Sequence, residues 1–88
     1  MKMIFAIVRD VDDANVIDQL VSNGYRVTRM ASTGGFLRRG NVTLLIGTQG
    51  DQRVQGVIDL LNDTCGPADP EQHRATVFVV NAEHYEQV

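Results

Sequence analysis

The segment Ser32-Thr33-Gly34-Gly35-Phe36-Leu37-Arg38-Arg39-Gly40-Asn41 packs three glycines, an aromatic, two arginines and an amide into ten residues. A loop that only turned would have no use for Phe36 and Leu37 between its glycines. Glycine lets a backbone approach a ligand closely. Arginine matches phosphate, and an aromatic face stacks on a base. The segment therefore reads as a contact loop for a small molecule, with a nucleotide the best match. Arg26 and Thr28 lie just before it on one face of a strand, and Asn41 opens the strand after it. In a hairpin these positions approach one another, so Thr28, Phe36 and Asn41 are candidates for one cleft. There Arg26 meets phosphate, Phe36 stacks on a purine, and Asn41 bonds a base edge or ribose. The competing reading of the same spacing is a glycine hairpin whose Phe36 packs into an oligomer interface.

The elements that must position this loop follow from hydrophobic pattern. Met3 to Val8 is a continuous apolar run that suits a central strand. Asp10 is a candidate N-cap, and Asp12 and Asp13 suit the positive end of a helix. Ala14, Ile17, Leu20 and Val21 recur at helical spacing, and Asn23-Gly24 closes that helix. Tyr25 to Ala31 alternates, with Tyr25, Val27 and Arg29 on one face and Arg26, Thr28 and Met30 on the other. Val42 to Ile46 is a buried strand ended by Gly47. A second helix carries Val54, Val57, Ile58 and Leu61 and stops at Cys65-Gly66-Pro67. Ala75 to Val80 is the last strand. The single domain spans residues 1–88, with the glycine loop at 32–41, a short second loop at 66–74 and a polar tail at 81–88.

The order β-α-β-β-α-β predicts an α+β, ferredoxin-like fold: a four-stranded antiparallel sheet with two helices on one face. The strands are apolar on both faces, so the face without helices also calls for burial, and self-association is expected. A chain of 88 residues buries only about 60–65% of its unfolded surface. Oligomerisation would help it.

Composition narrows the function. A net charge of −3 and a pI near 5.1, with charges interspersed, argue against general nucleic-acid binding. One cysteine, Cys65, excludes an internal disulfide and a Cys-rich zinc site, and fits a reducing cytoplasm. The apolar start is too short for a membrane span and no cleavage pattern follows it, so a cytoplasmic protein without membrane insertion is expected. No Walker-type phosphate loop and no Ser-His-Asp or Cys-His arrangement is present, and no catalytic or metal-ligating residue is assigned. His73 and His84 have no ligand spacing to each other. Asp10, Asp12 and Asp13 are explained by helix capping. Arg53-Val54-Gln55-Gly56-Val57 resembles part of the acylphosphatase signature. It lies inside the second helix, however, where Val54 and Val57 are core positions and Gly56 is a local weakness.

The run Thr33-Gly34-Gly35-Phe36-Leu37-Arg38-Arg39-Gly40-Asn41 resembles the signature of the PstA-type cyclic di-AMP receptors of the PII-like superfamily. Met1 to Val8, Arg26-Val27-Thr28, Thr43 to Gly47 and Ala75 to Val79 match as well, without gaps from Met1 to about Gly66. The resemblance implies a PII-like homotrimer with inward-facing sheets and ligand clefts between subunits. It implies a binding protein that is not an enzyme, has no cofactor, takes cyclic di-AMP as a small-molecule nucleotide ligand and signals to an unidentified downstream protein. The family's contact positions fall on Arg26, Thr28, Gly35, Phe36, Leu37, Asn41 and Gly47. Two positions depart from the pattern. Gly24 stands where the family usually has Asn, which removes an amide contact. The family's long loop before the last strand, ending in Gly-Gly, is reduced here to 66–74 with His73-Arg74 in place of the glycines. Arg74 either adds a phosphate contact or obstructs the close backbone approach. The alternative is a divergent trimer that binds another nucleotide or anion, or none, and serves as a protein-interaction scaffold.

Overall fold

The computed structural model describes residues 1–30, 40–67 and 73–83. Along the chain run β1 (Lys2–Arg9), α1 (Asp13–Ser22), β2 (Arg26–Met30), β3 (Asn41–Thr48), α2 (Asp51–Thr64) and β4 (Ala75–Asn81). The strands form one antiparallel sheet in the order β2-β3-β1-β4, so the expected ferredoxin-like arrangement is present, with β1 and β3 at its centre.

The sheet has two unlike faces because side chains alternate along each strand. Ile4, Ala6 and Val8 of β1 and Val42, Leu44 and Ile46 of β3 are buried with Val16 and Leu20 of α1 and Val57 and Leu61 of α2. That layer is the core. Met3, Phe5 and Ile7 occupy the alternate positions and register with Gly47, Leu45 and Thr43 on β3 and with Val80, Phe78 and Thr76 on β4. No helix covers this second face among the described residues. Phe78 keeps 50% of its surface exposed and Val80 49%.

The first helix differs from the expectation in two ways. It begins at Asp13 with Asp12, not Asp10, at the N-cap, and the Asp12 side chain does not cap it. The Asp12 carboxylate is drawn away instead: Arg9 Nε and Nη2 donate to Oδ2 at 2.9 and 2.8 Å, and the Gly66 amide donates to Oδ1 at 3.1 Å. The apolar stripe is also displaced. Val16 and Leu20 are its buried members, with Ile17 packed beside them, while Ala14 and Val21 are exposed. The C-terminus is as expected: Asn23 is the C-cap, and Gly24 has φ +86°, the left-handed conformation that glycine tolerates.

Arg9 extends the Asp12 contact into a clasp. Its Nη1 and Nη2 donate to the carbonyls of Pro67 and Gly66 at 2.9 and 2.7 Å. The end of β1 is thereby tied to the end of α2. The neighbouring Asp10 amide donates to the Gly40 carbonyl at 2.7 Å, which fixes where the chain re-enters β3.

Candidate functional site

At the opposite end of the sheet, register brings together residues far apart in sequence. Arg26 pairs with Gly47, Gly47 with Met3, and Thr28 with Leu45. These residues, with Met1, Gly24, Thr48, Gln49 and Arg53, line a concavity of about 600 Å³. Three of the sequence-predicted contact residues, Arg26, Thr28 and Gly47, therefore share one wall. Gly47 has no positive φ, so its role there is spatial. It sits between the Arg26 and Met3 strands on the uncovered face, and any side chain would project into the hollow. A Cβ at Gly47 would stand 3.8 Å from Met3 Sδ, an ordinary contact, so the cost of a longer residue is lost room and not backbone strain.

The charge of the hollow is opposite to that of the chain. Its lining includes two arginines and no carboxylate, in a protein of net charge −3. The Arg26 side chain has neither an ion pair nor a hydrogen bond among the described residues, whereas Arg9 and Arg29 are paired with Asp12 and Asp13. Arg29 lies on the other face of β2 and reaches α1. The alternation of β2 thus sends one arginine to structure and leaves its neighbour's donors free to meet a phosphate.

Asn41 is not beside Arg26 and Gly47 within one chain. It registers with Arg9 at the far end of β3, about 20 Å away at the usual rise per residue. Gly35, Phe36 and Leu37 lie outside the described residues. Arg74 is engaged in holding the fold together. Its Nη1 donates to the Asn62 and Cys65 carbonyls at 3.1 and 3.5 Å, and its Nη2 to Asn62 Oδ1. It caps the C-terminus of α2, where cations belong, and lines a separate, smaller hollow with His73, Ile58 and Val77.

Sequence reading missed Arg53. It is in the first turn of α2, and its guanidinium lies over the Tyr25 ring, 4.1 Å from the centroid. The Tyr25 hydroxyl donates to the Arg53 carbonyl at 3.0 Å. The acylphosphatase-like run is therefore a packing motif: Gly56, read from sequence as a helix weakness, makes room for Tyr25. The available signal was a helix opened by Gly50-Asp51 right after Gly47, which places its first turn over the end of β3. Thr48 was missed as well. It is 4% exposed, and its hydroxyl has no partner among the described residues.

Among the described residues no group of His, Cys, Asp or Glu is arranged to hold a metal ion. No described helix is long and apolar enough to cross a membrane.

Known proteins share this arrangement. A protein described as functionally unknown, from Pediococcus pentosaceus ATCC 25745, has a crystal structure that matches with a TM-score of 0.75 and 30% identity, over 99% of this chain and 96% of that one. The family model of the cyclic-di-AMP receptors matches residues 1–70, which include β1 through α2 and every residue lining the positively charged hollow. On that match the chain belongs to the cyclic-di-AMP receptor family.

Proposed function

We propose that this protein is a cyclic di-AMP receptor that acts as a homotrimer, holds the dinucleotide in clefts between subunits and relays its presence to a downstream protein without catalysing a reaction. The observation that carries the reading is Arg26. It is a guanidinium without a partner among the described residues, set beside Thr28 and the bare backbone of Gly47 in a hollow free of carboxylates. The uncovered apolar face supports trimerisation, because Phe5, Leu45, Phe78 and Val80 need a partner that the helices do not supply. A cleft between subunits also accounts for the separation of Asn41 from Arg26: one protomer would contribute the Arg26 end and its neighbour the Asn41 end. The family resemblance also assigns Gly35, Phe36 and Leu37 to the ligand; these lie outside the described residues. Ligand would favour one arrangement of the loops, and the population shift would alter the surface shown to the partner.

Calorimetric titration with cyclic di-AMP tests this, with ATP, AMP and cyclic di-GMP as comparators. Saturation near one ligand per subunit, selective for cyclic di-AMP, is the expected result. A folded trimer that gives no heat with cyclic di-AMP favours the second reading, a divergent trimer for another nucleotide or anion, or a protein-interaction scaffold. One observation favours it: Arg74, at the end of the shortened connection, donates to Asn62 and Cys65 at the end of α2 and lines a different hollow from Arg26.

A further inference from the structure

Arg53 is held in place more firmly than an exposed arginine usually is. Tyr25 grips it twice, through the ring beneath the guanidinium and through the hydroxyl on its carbonyl. Stacking leaves the in-plane N–H donors of a guanidinium available. Only Nη2 has a protein acceptor among the described residues, the Gly24 carbonyl at a long 3.5 Å. No carboxylate among the described residues pairs with it, and the nearby Asp51 is 3.7 Å from Lys2 Nζ. Arg53 and Arg26 line one hollow from different elements, the helix and the strand. Two cations at one hollow repel until an anion lies between them.

Two further features favour an anion there. Thr48 and Gln49 form part of the lining immediately before α2, so the helix's free amides and positive dipole end lie at the same wall. Gly24 has no side chain, and the nearest atom to the place where a Cβ would stand is Arg53 Nη2, at 3.7 Å. Arg53 therefore reaches over the bare backbone of Gly24.

We propose that Arg53, oriented by Tyr25, is a second phosphate-binding residue of the hollow and works with Arg26 on one phosphate group of the ligand. The assignment rests on the receptor reading above and adds a residue to it. Arginine's planar fork suits the non-bridging oxygens of a phosphodiester.

The test combines Arg53→Gln and Arg53→Lys with two probes, cyclic di-AMP and inorganic pyrophosphate. Calorimetry is run at several salt concentrations, and the arginine Nε–Hε resonances are followed by NMR. Arg53→Gln should weaken cyclic di-AMP binding roughly ten- to hundred-fold and flatten its salt dependence. Arg53→Lys should recover part of the affinity and all of the salt dependence. In the unaltered protein pyrophosphate should move the Arg26 and Arg53 resonances together. Unchanged affinity in Arg53→Gln overturns the proposal. So does an equal loss in both variants with unaltered salt dependence, because that marks a packing role on Tyr25. If cyclic di-AMP fails to bind the unaltered protein while pyrophosphate still moves both resonances, the two-arginine site stands and the receptor reading falls. If neither probe moves Arg53, the proposal falls whatever becomes of the receptor reading.

Discussion

The hydroxyl of Tyr25 occupies the space that a methyl group on Gly56 would need. The rigid ring cannot swing aside cheaply, since Tyr25 is buried and its hydroxyl is bonded to the Arg53 carbonyl. Gly56→Ala gains about 1 kcal/mol of helix propensity. It must also displace Tyr25, and overpacking of this kind costs roughly 1–3 kcal/mol, with the hydroxyl bond lost as well. Net destabilisation by about 1–2 kcal/mol is expected. In a Tyr25→Phe background the nearest ring carbon is 3.6 Å away, an ordinary contact, so the same substitution should become neutral or stabilising. Urea denaturation of the double-mutant cycle should give a coupling above about 1 kcal/mol. Additive effects would show that the two residues do not compete for the site.

Arg9 and Asp12 make the other polar contact on which the fold depends. Arg9→Ala leaves the Asp12 carboxylate buried with only the Gly66 amide, and frees the Gly66 and Pro67 carbonyls. Breaking a fully buried pair costs about 3–5 kcal/mol. The Arg9 side chain retains 22% exposure, so a loss of roughly 2–3 kcal/mol is expected. Arg9→Met with Asp12→Leu should lose less than Arg9→Ala, because no charge is then stranded. A smaller effect of Arg9→Ala than of the double change, measured by denaturation, would mean that the clasp is solvated.

Most of the fold was legible because each element carries its own local signal. The apolar runs, the Asn23-Gly24 stop and the Cys65-Gly66-Pro67 stop need no knowledge of partners, and the observed elements begin and end close to them. The N-cap of α1 was misplaced for a tertiary reason: Asp12 is committed to Arg9 and Gly66, 54 residues on in the latter case. The candidate site was legible only in part: strand alternation groups Arg26 and Thr28, whereas Gly47 came from the family resemblance and joins them through the β2–β3 register. Arg53 was not, because its relation to Tyr25 crosses 28 residues and depends on the space at Gly56. Likewise nothing in the order of residues distinguishes an arginine that caps a helix, as Arg74 does, from one whose side chain has no partner among the described residues, such as Arg26.

Arg26→Ala separates binding from stability. The side chain is exposed and makes no bond among the described residues, so unliganded stability should change by less than about 0.5 kcal/mol. Loss of a charge-assisted contact should weaken cyclic di-AMP binding by roughly 1.5–3 kcal/mol. Calorimetry and thermal melting on one preparation read both quantities. Equal affinity in the variant would remove Arg26 from the site.

Phe78 tests the uncovered sheet face. It lies across from Phe5 on β4 and is half exposed in the single chain. A phenylalanine buried at an interface contributes about 1.5–3 kcal/mol per subunit, and an aspartate there would add unpaired charge. If the proposed trimer forms through this face, Phe78→Asp should reduce the mass in light scattering from trimer to monomer while circular dichroism stays unchanged. If the ligand binds between protomers as proposed, cyclic di-AMP binding should be lost along with the trimer. A trimeric variant, or an unaltered protein that is already monomeric, would place the subunit contacts elsewhere or nowhere.

Cys65 gives the pH dependence. Burial pushes its thiol above the ordinary range, the Asp12 carboxylate pushes the same way, and Arg74 and Arg9 pull it back. The folded chain therefore favours the neutral thiol more than the unfolded chain does. That preference contributes its full stability below the thiol's unfolded pKa and is lost as pH rises through the folded value. Stability should accordingly fall in the alkaline range, with a component that is absent in Cys65→Ala, although that variant is less stable throughout because it leaves a small cavity in the core cluster that holds Leu61. Iodoacetamide reacts with thiolate, so at mildly alkaline pH the native thiol should be alkylated well below the rate seen in urea. A native rate equal to the unfolded one would mean that Arg9 and Arg74 outweigh burial and hold Cys65 as a reactive thiolate.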